Sequence, residues 1–283
     1  MRQYLDLVQD ILTNGTRKAN RTGIDTLSIT GAMLKFDLRD GFPLITTRKA
    51  PIKSTLTELE FFIKGYTDKR WLEERGCKFW SDWCNPQKVP YGNDEETKKK
   101  MREEPDLGPV YGSVWANFNN DSTNINQLQN AINTLKTDPT NRRILVSAYN
   151  PTLLSQQALP PCHYVFQFLS DGKYLDLSFN MRSNDVALGL GANLAEYAAL
   201  LMLVAEQVGM VARYLVYFGT DVHIYTNHID GLKEQLSREP RQLPKLIIIK
   251  NKPDWTIYDW DSQKDWKLEG YDPYPPIKME VAV

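Results

Sequence analysis

The sequence predicts an α+β fold, with one large mixed or antiparallel sheet flanked by helices. Alternating apolar and polar residues, which are typical of half-buried strands, occur in five segments: 26–38, 143–151, 163–170, 173–182 and 213–228. Apolar residues at helical spacing occur at 3–15, 53–65 and 192–209. These strands and helices do not alternate regularly as βαβ units, and this irregular order favours α+β.

Each element has its own boundary signals. The helix at 3–15 stops at Asn-Gly, and the helix at 53–65 stops at a glycine. Gly31 interrupts the alternation of the strand at 26–38, which predicts a bulge or a close approach of another backbone. The helix at 192–209 is apolar enough to lie in the middle of the fold.

The segment EETKKKMREEPD (95–106) mixes both signs of charge densely. This pattern predicts a solvated surface insertion without chemistry, spanning about 88–106. No linker or internal repeat divides the chain, so we expect residues 1–283 to form a single catalytic domain.

Composition excludes several classes of function. The 34 Lys and Arg residues balance 35 Asp and Glu, and a net charge of −1 does not suit a protein that coats duplex DNA. Three cysteines are a poor disulfide framework, and no secretory peptide precedes them, so we expect a reducing cytoplasm. The histidines and cysteines lack metal-ligand spacing, and no apolar run reaches the ~18 residues of a membrane span.

Cys162 is the first candidate for chemistry, because two prolines stiffen the chain before it in ALPPCHYVFQF. A nucleophilic cysteine needs a lowered pKa, usually from nearby cations, and Arg142, Arg143 and Arg182 stand at the edges of strand candidates. Guanidinium groups bind phosphate oxygens in pairs, so these arginines with Ser183 indicate a phosphorylated small substrate. The ordinary alternatives are a buried, inert cysteine and a solvated arginine pair.

Nine motifs, all in the same order, carry a resemblance to a known family. They are RTGIDT (21–26), GFPLITTRK (41–49), ELEFFIKG (58–65), LGPVYGSVW (107–115), RRILVSAYNP (142–151), ALPPCH (158–163), RSNDVALGL (182–190), DVHIYTNH (221–228) and PPIKMEVAV (275–283). Through them the chain resembles thymidylate synthase over nearly its whole length.

The resemblance implies the thymidylate synthase fold, a sheet-to-sheet homodimer, and a folate-dependent reaction at carbon 5 of a pyrimidine nucleotide. Cys162 matches the nucleophile that adds to carbon 6 of the ring. Glu58 matches a glutamate that transfers protons through ordered water. Without the resemblance, an ordinary glutamate on a helix surface would be the better interpretation. Tyr111 and Asp185 match further residues of the catalytic cavity. The implied co-substrate is 5,10-methylene-tetrahydrofolate, and no metal is implied.

The resemblance also implies which residues bind the substrates. Arg21, Arg182 and Ser183 match phosphate ligands. Arg142 and Arg143 match an arginine pair that the opposite subunit inserts, which makes the homodimer obligatory.

His223 and Tyr225 match the pair that binds the sugar 3′-hydroxyl, although an aromatic pair at the end of a strand is the ordinary alternative. Val283 matches a carboxyl terminus that closes over bound ligands. The residues implied to contact the folate are Trp80, Asp185, Gly189 and Val283.

Asn193 indicates which base is bound. Uracil presents a carbonyl acceptor at carbon 4 beside an N–H donor, and an asparagine amide offers the complementary pair. Cytosine reverses that edge, and a mismatched pair in a buried site costs ~1–3 kcal/mol. The sequence therefore predicts dUMP as substrate, while Asn193 also suits the N-terminal cap of the helix at 192–209.

Several positions near the reacting centre depart from the synthase pattern. Gly191 and Ala192 stand where a proline and a phenylalanine are usual, and Met181 replaces a glutamine. Glu60 and Tyr149 also depart from the pattern, and the motifs ELE and NMRSND are similar to those of phage deoxycytidylate hydroxymethylases.

These departures favour hydroxymethylation over methylation. Loss of the phenylalanine at Ala192 opens room for water, which would add to a methylene group on carbon 5, and Glu60 would help to hold that water. Against this, Glu58 and Glu60 are two residues apart and do not share a helical face. Glu60 would then be exposed, and Met181 or Tyr149 would refill the space.

We therefore predict a dUMP hydroxymethylase that makes 5-hydroxymethyl-dUMP, in a host cytoplasm if the source is a virus that modifies its DNA. The first alternative is thymidylate synthase itself, supported by the motif at 275–283 and by Trp80. The second is a non-catalytic relative that binds nucleotide or RNA, against which the intact Cys162, Glu58 and Arg182 argue. No nucleic acid or membrane partner is required.

Overall fold

A six-stranded sheet forms the centre of the fold in the computed structural model, which describes residues 1–20 and 22–280. Its strands are β1 (Thr16–Lys18), β2 (Thr26–Asp37), β3 (Leu145–Ser147), β4 (His163–Ser170), β5 (Tyr174–Asp185) and β6 (Val211–Tyr225). They lie in the order β1-β2-β6-β5-β4-β3, and every described pair is antiparallel except β5 with β6. The single domain with a mixed sheet and helices confirms the predicted α+β class.

Eight α-helices accompany this sheet in the described part of the chain. They are α1 (Arg2–Asn14), α2 (Ile52–Ile63), α3 (Arg70–Glu73), α4 (Glu95–Glu103), α5 (Gly112–Ala116), α6 (Gln127–Thr137), α7 (Gly189–Val208) and α8 (Ile229–Leu236). A separate hairpin consists of β7 (Lys245–Ile248) and β8 (Trp266–Glu269). No helix among residues 1–20 and 22–280 is long and apolar enough to cross a membrane.

Helix α7 is the central helix, as its apolar sequence predicts. It packs on β5, β6 and α2, and it is buried along most of its length. Tyr197 of α7 stacks on Phe179 of β5, with ring centroids 4.2 Å apart. The helix ends at Gly209, whose φ of 75° belongs to the left-handed region that glycine adopts freely. This helix therefore holds its first turn in a fixed place against the sheet.

The opposite face of the sheet carries apolar side chains that no described residue covers. Met33 of β2 lies directly opposite Phe218 of β6, and these side chains are 61% and 41% exposed. Leu145 of β3 is 50% exposed on the same face. Exposed apolar surface of this kind is a common feature of protein interfaces.

Gly31 is neither a bulge nor a point of close backbone approach, which corrects the prediction. The pairing of β2 with β6 keeps one register on both sides of it, from Thr30 opposite Asp221 to Ala32 opposite Gly219. A Cβ atom at Gly31 would meet nothing within 4 Å. Its φ of +85° is the physical reason for glycine, because other residues adopt that conformation at a cost.

The charged segment contains the helix α4. Asp94 caps α4 by accepting a hydrogen bond from the backbone N–H of Thr97 at 2.9 Å. Its charged residues pair with one another on the surface, as with Lys100 and Glu96 at 2.7 Å, while Met101 is buried. The segment makes no contact with the cavity described next.

Candidate active site

A cavity of about 480 Å³ lies where α2, the end of β5 and the first turn of α7 meet. Six of the side chains that border it bear on chemistry: Glu58, Trp80, Tyr111, Cys162, Asp185 and Asn193. A hollow of about 530 Å³ at residues 65–74 is slightly larger, but its wall carries neither a cysteine nor a histidine. We therefore place the candidate site in the cavity beside Cys162, where a nucleophile and several carboxyl groups converge.

The backbone holds Cys162 firmly at the residue before β4. Its N–H donates to the hydroxyl of Tyr111 at 3.0 Å, and its carbonyl accepts from the N–H of Arg182 at 2.9 Å. The Arg182 guanidinium donates through Nε to the carbonyl of Pro161 at 2.9 Å and through Nη2 to that of Pro160 at 2.7 Å. Arg182 Nη2 also lies 3.7 Å from the Cys162 sulfur. The two prolines thus fix the arginine beside the thiol.

The thiol of Cys162 differs from the expectation of a lowered pKa. Burial raises its pKa above the usual value, while Arg182 and then the Tyr111 hydroxyl act in the opposite direction. Arg182 therefore favours the thiolate, but its effect does not outweigh desolvation.

Tyr111 occupies a strained position at the start of α5. Its φ of 32° lies in the left-handed region, which is unusual for an aromatic residue. The next residue, Gly112, packs so closely on α2 that a Cβ atom there would lie 1.9 Å from the carbonyl oxygen of Phe62. The ring of Tyr111 stacks on His163 with centroids 4.0 Å apart. The close packing of α5 on α2 therefore positions the hydroxyl that holds Cys162.

Glu58 is a carboxyl group that titrates near neutral pH. Its Oε1 accepts a hydrogen bond from the indole N–H of Trp80 at 2.6 Å. Glu58 borders the cavity and keeps some exposed surface, but desolvation at that depth raises its pKa to about 7, against the lowering effect of Trp80. A carboxyl group with this pKa can both accept and donate protons at neutral pH.

Asp185 and His223 lie side by side on the parallel strands β5 and β6. Asp185 Oδ1 accepts from the backbone N–H groups of Ala187 at 2.9 Å and Leu188 at 3.3 Å. Burial raises the pKa of Asp185, and His228 is the largest opposing influence. His223 is buried, and its ring meets that of Tyr225 edge-on with centroids 5.3 Å apart.

The first turn of α7 completes the wall of the cavity. Gly189, Ala192 and Asn193 border it from this end of the helix. The helix begins at Gly189 with Leu188 as its N-cap, so Asn193 lies inside it, which corrects the prediction that Asn193 also caps the helix. A Cβ atom at Gly191 would lie 2.3 Å from Cδ1 of Ile45, so this isoleucine occupies the space that a larger residue at 191 would need. No aromatic ring of α7 closes the wall at Ala192.

The family model described as Thymidylate synthase matches residues 2–283 of this chain. The chain belongs to the thymidylate synthase family. Members of the thymidylate synthase family transfer a one-carbon group to carbon 5 of dUMP, with methylenetetrahydrofolate as co-substrate. This chain is therefore a one-carbon transferase of that family, and the resemblance carried by its motifs is confirmed.

The structure brings most of the residues implied by thymidylate synthase motifs to the cavity. Besides the six side chains already named, Ser183, Gly189, Met181 and Ala192 border it. Arg182, His223 and Tyr225 are not on its wall, although Arg182 approaches the Cys162 sulfur. Arg142 and Arg143 are not on it either, and they are exposed before the edge strand β3. Arg21 and Val283 lie outside the described residues.

Two candidates for control of the product are not on the cavity wall. Glu60 is 3% exposed, which corrects the alternative that it is solvated, and it forms an ion pair with Lys64. Its Oε2 accepts from the backbone N–H of Ser262 at 2.8 Å. Tyr149 is 39% exposed outside the cavity. Glu60 is thus committed to other partners, and neither residue refills the space beside Ala192.

Sequence reasoning missed two residues of this thymidylate synthase site. Arg48 borders the cavity, and its guanidinium donates to Gln235 at 3.1 Å and to the carbonyl of Ala187. It belongs to the motif GFPLITTRK, which was the available signal. His163 also borders the cavity and shares a hydrogen bond of 2.8 Å with Tyr197; burial lowers its pKa to about 3, so it is neutral.

The described residues contain no cluster of three His, Cys, Asp or Glu side chains that could bind a metal ion.

Proposed function

We propose that this chain is a dUMP hydroxymethylase that converts dUMP into 5-hydroxymethyl-dUMP. One observation carries the proposal: the cavity joins the Cys162 thiol and the Glu58 carboxyl group to a wall at Ala192 without an aromatic ring. The thiol and carboxyl groups suit one-carbon transfer to a pyrimidine. The opening at Ala192 leaves volume for the water that hydroxymethylation consumes.

The polar residues of the cavity support a uracil nucleotide as substrate. Arg182 and Ser183 lie beside Cys162 and suit the 5′-phosphate, because both donate hydrogen bonds to anionic oxygens. Asn193 suits the carbon 4 carbonyl and the N3–H of uracil. His223 and Tyr225, at the end of β6, are the candidates for the sugar hydroxyl.

Cys162 begins the proposed reaction by adding its sulfur to carbon 6 of the ring. Arg182, 3.7 Å from the sulfur, stabilises the thiolate against desolvation. The addition places a negative charge on the carbon 5 to carbon 4 unit of the ring, which makes carbon 5 nucleophilic. Glu58, with a pKa of about 7, is suited to exchange protons near that position.

The apolar part of the cavity fits a folate. Phe79, Trp80 and Leu188 border it and offer flat or apolar surfaces, while Asp185 and Gly189 lie at the same wall. When bound there, methylene-tetrahydrofolate supplies the one-carbon unit for carbon 5. The protein holds the partners together and controls the entry of water.

The nature of the product tests the proposal directly. Synthase turnover oxidises the folate to dihydrofolate, whereas hydroxymethylation returns tetrahydrofolate. We expect dUMP to be consumed without the near-ultraviolet absorbance of dihydrofolate, and mass spectrometry to find a hydroxymethyl group on the nucleotide. A stoichiometric rise in that absorbance, together with dTMP, would overturn the hydroxymethylase assignment.

Thymidylate synthase proper is the second candidate, and one observation favours it. Met279 borders the cavity, and the backbone carbonyl of Glu280 lies 2.6 Å from Nε2 of His228. The segment that carries these residues therefore covers part of the cavity and excludes water, which hydride transfer requires. The same product assay separates the two reactions.

Covalent labelling separates an enzyme from a relative that only binds nucleotides. We expect 5-fluoro-dUMP with methylene-tetrahydrofolate to form a stable adduct on Cys162 that mass spectrometry of the intact chain detects. Cys162→Ala should form none, whereas Cys84→Ala, which alters a cysteine outside the cavity, should form the same amount as the parent. Absence of the adduct from the parent chain would favour the binding protein.

We further propose that two chains associate through the exposed face of the sheet. Met33, Phe218 and Leu145 expose apolar surface on that face. Arg142 and Arg143 lie away from the cavity of their own chain, in keeping with a role in a partner's site. An exposed apolar sheet face next to free cationic groups suits a symmetric interface.

Mixing two inactive variants tests the shared site. A chain with Arg142→Ala and Arg143→Ala would lack the donated arginines, and a chain with Cys162→Ala would lack the nucleophile. Random pairing of equal amounts leaves one complete site in half of the dimers, so we expect activity of about a quarter of the parent. No recovery after mixing and re-association, from chains that sedimentation shows to be dimers, would overturn the shared site.

A further inference from the structure

Glu196 is a carboxyl group that none of the steps above uses. It lies on α7 and is 2% exposed. Neither carboxyl oxygen has a hydrogen-bond partner of normal geometry among the described residues. Burial of an unpartnered carboxyl group costs several kcal/mol, so its presence in the core requires an explanation.

Helical spacing places Glu196 behind the wall of the cavity. It follows Ala192 by four residues and Asn193 by three, and side chains with these separations share one face of a helix. Helix α2, which carries Glu58, packs against α7. Glu196 therefore stands between the two helices, on the side from which Ala192 and Glu58 border the cavity.

The surroundings of Glu196 favour the uncharged form of its carboxyl group. Burial raises its pKa well above the usual range, repulsion from Glu58 raises it further, and the Asn193 amide offsets only a part of this. Burial raises the pKa values of nearby Cys77 and Tyr197, which are therefore neutral at pH 7. Two carboxyl groups so close together do not both ionise near neutral pH, so at least one proton stays on the pair.

We propose that Glu196 is a positioning residue. Together with Glu58 it holds the water molecule that adds to the methylene group on carbon 5 of the pyrimidine ring. This inference rests on the hydroxymethylase function proposed above. A protonated Glu196 donates one hydrogen bond and keeps an acceptor oxygen, so it can fix a water molecule in a way that an apolar wall cannot. The two unpartnered oxygens and the open wall at Ala192 are the observations that support it.

The addition balances with the groups already present. The water oxygen bonds to the methylene carbon, the electron pair of the exocyclic double bond moves into the ring, and the water proton passes to the Glu58 carboxylate. The ring electron pair then restores the double bond between carbons 5 and 6. The carbon–sulfur bond breaks, and its electrons leave with the Cys162 thiolate.

Glu196→Met tests this role, because methionine is similar in length to the protonated acid but offers water no strong donor or acceptor. Its control is Glu206→Met on the same helix, where the parent carboxylate is half-exposed and pairs with Lys250 at 2.9 Å. Two rates are measured with dUMP that is tritiated at carbon 5: release of tritium, which reports the steps before water adds, and formation of the hydroxymethyl nucleotide.

We expect Glu196→Met to lower hydroxymethyl formation by about 100-fold, the scale of a misplaced reactant, with little change in KM for dUMP. Tritium release should continue faster than product appears, and Glu206→Met should keep the two rates equal. Parallel loss of both rates in Glu196→Met, or an unchanged product rate, would overturn the role of Glu196.

Two further measurements keep the outcome decisive. Glu196→Gln retains one donor group and one acceptor at the same length. Partial recovery of product formation relative to Glu196→Met supports the role even if methionine disturbs packing, and no recovery opposes it. The parent chain is assayed for dihydrofolate in parallel. Dihydrofolate in the parent reaction would contradict the hydroxymethylase function itself, which is a different result from failure at Glu196.

Discussion

The indole N–H of Trp80 donates a hydrogen bond of 2.6 Å to Glu58, inside the cavity that holds Cys162. A donor to a carboxylate favours the charged form and lowers the pKa, and burial works in the opposite direction. Their balance leaves Glu58 with a pKa of about 7. Burial thus raises the pKa of the central carboxyl group of the site, and one aromatic side chain limits that rise.

Trp80→Phe should move the activity of the enzyme to higher pH. Phenylalanine keeps the apolar ring but removes the donor, so the pKa of Glu58 rises and a higher pH is needed to form its carboxylate. A hydrogen bond to a charged group is worth ~1.5 kcal/mol, which corresponds to about one pH unit in the rising limb of kcat. The control is Trp83→Phe, because Trp83 stacks on Tyr91 outside the cavity. An unshifted limb would show that Glu58 does not control turnover.

Glu58 should also make the protein less stable as the pH rises from about 4.5 to about 7. Its pKa is near 4.5 when unfolded and about 7 when folded, so within this window the folded chain binds more protons. The free energy of unfolding therefore falls with increasing pH, by at most about 3 kcal/mol from this group. Urea unfolding at pH 5 and pH 8 should give a smaller difference for Glu58→Gln than for the parent. An equal difference would contradict the raised pKa.

Asn193→Asp should shift the preference of the enzyme from dUMP towards dCMP. A protonated or charged aspartate presents acceptor oxygens that suit the amino group of cytosine rather than the carbonyl of uracil. A mismatch of ~1–3 kcal/mol corresponds to about 5- to 150-fold in the ratio of kcat/KM values. Competition between the two nucleotides measures that ratio. Unchanged selectivity would show that Asn193 does not select the base.

Ala192→Phe should narrow the cavity and lower the fraction of hydroxymethyl product. Ala192 borders the cavity in the first turn of α7, and no aromatic ring closes the wall there. Filling this volume removes space for the attacking water, so any remaining turnover should release relatively more dihydrofolate and dTMP. Ala198→Gly, in the buried middle of the same helix, controls for a general loss of stability. The same partition in Ala192→Phe and the parent would rule out this wall as the determinant.

Gly112→Ala should destabilise the fold and disturb the position of Tyr111. The added Cβ atom would lie 1.9 Å from the carbonyl oxygen and 2.2 Å from Cα of Phe62, both in the backbone, so α5 and α2 must separate. Overpacking of this kind costs ~1–3 kcal/mol, which thermal or urea unfolding measures. Gly189→Ala is the matched control, because its Cβ atom would have only an ordinary contact of 3.6 Å with Asn193. Equal stability of the two variants would contradict the tight contact.

The strands and helices with strong periodicity were predictable from the sequence. The predicted strand at 163–170 coincides with β4, and the apolar segment at 192–209 forms most of α7. Helix α6 was missed because its apolar residues are few, and its stability comes from packing against α5 and β3. Gly31 was misinterpreted because sequence alone does not distinguish a residue with positive φ from a bulge.

Site residues that belong to a recognisable motif could be predicted from the sequence. Contacts between residues from distant segments could not. Cys162 and Asn193 border one cavity, as the motifs imply, although 31 positions separate them in sequence. The sequence did not predict that Glu60 is buried against Lys64 and Ser262, because Ser262 comes from a distant segment of the chain. Glu196 carries no motif of its own, and only its burial without partners draws attention to it.

The hydrogen bonds of Arg182 limit how much of the phosphate charge of a bound nucleotide this arginine can neutralise. Its Nε–H and Nη2 donors serve the proline carbonyls and approach the thiol, so within the described part of the chain Nη1 is the end left for an anion. A nucleotide phosphate carries between one and two negative charges near pH 7. One end of one guanidinium group cannot neutralise that charge, so a complete anion site has to draw cations from elsewhere, and nucleosides without a phosphoryl group should not benefit from them.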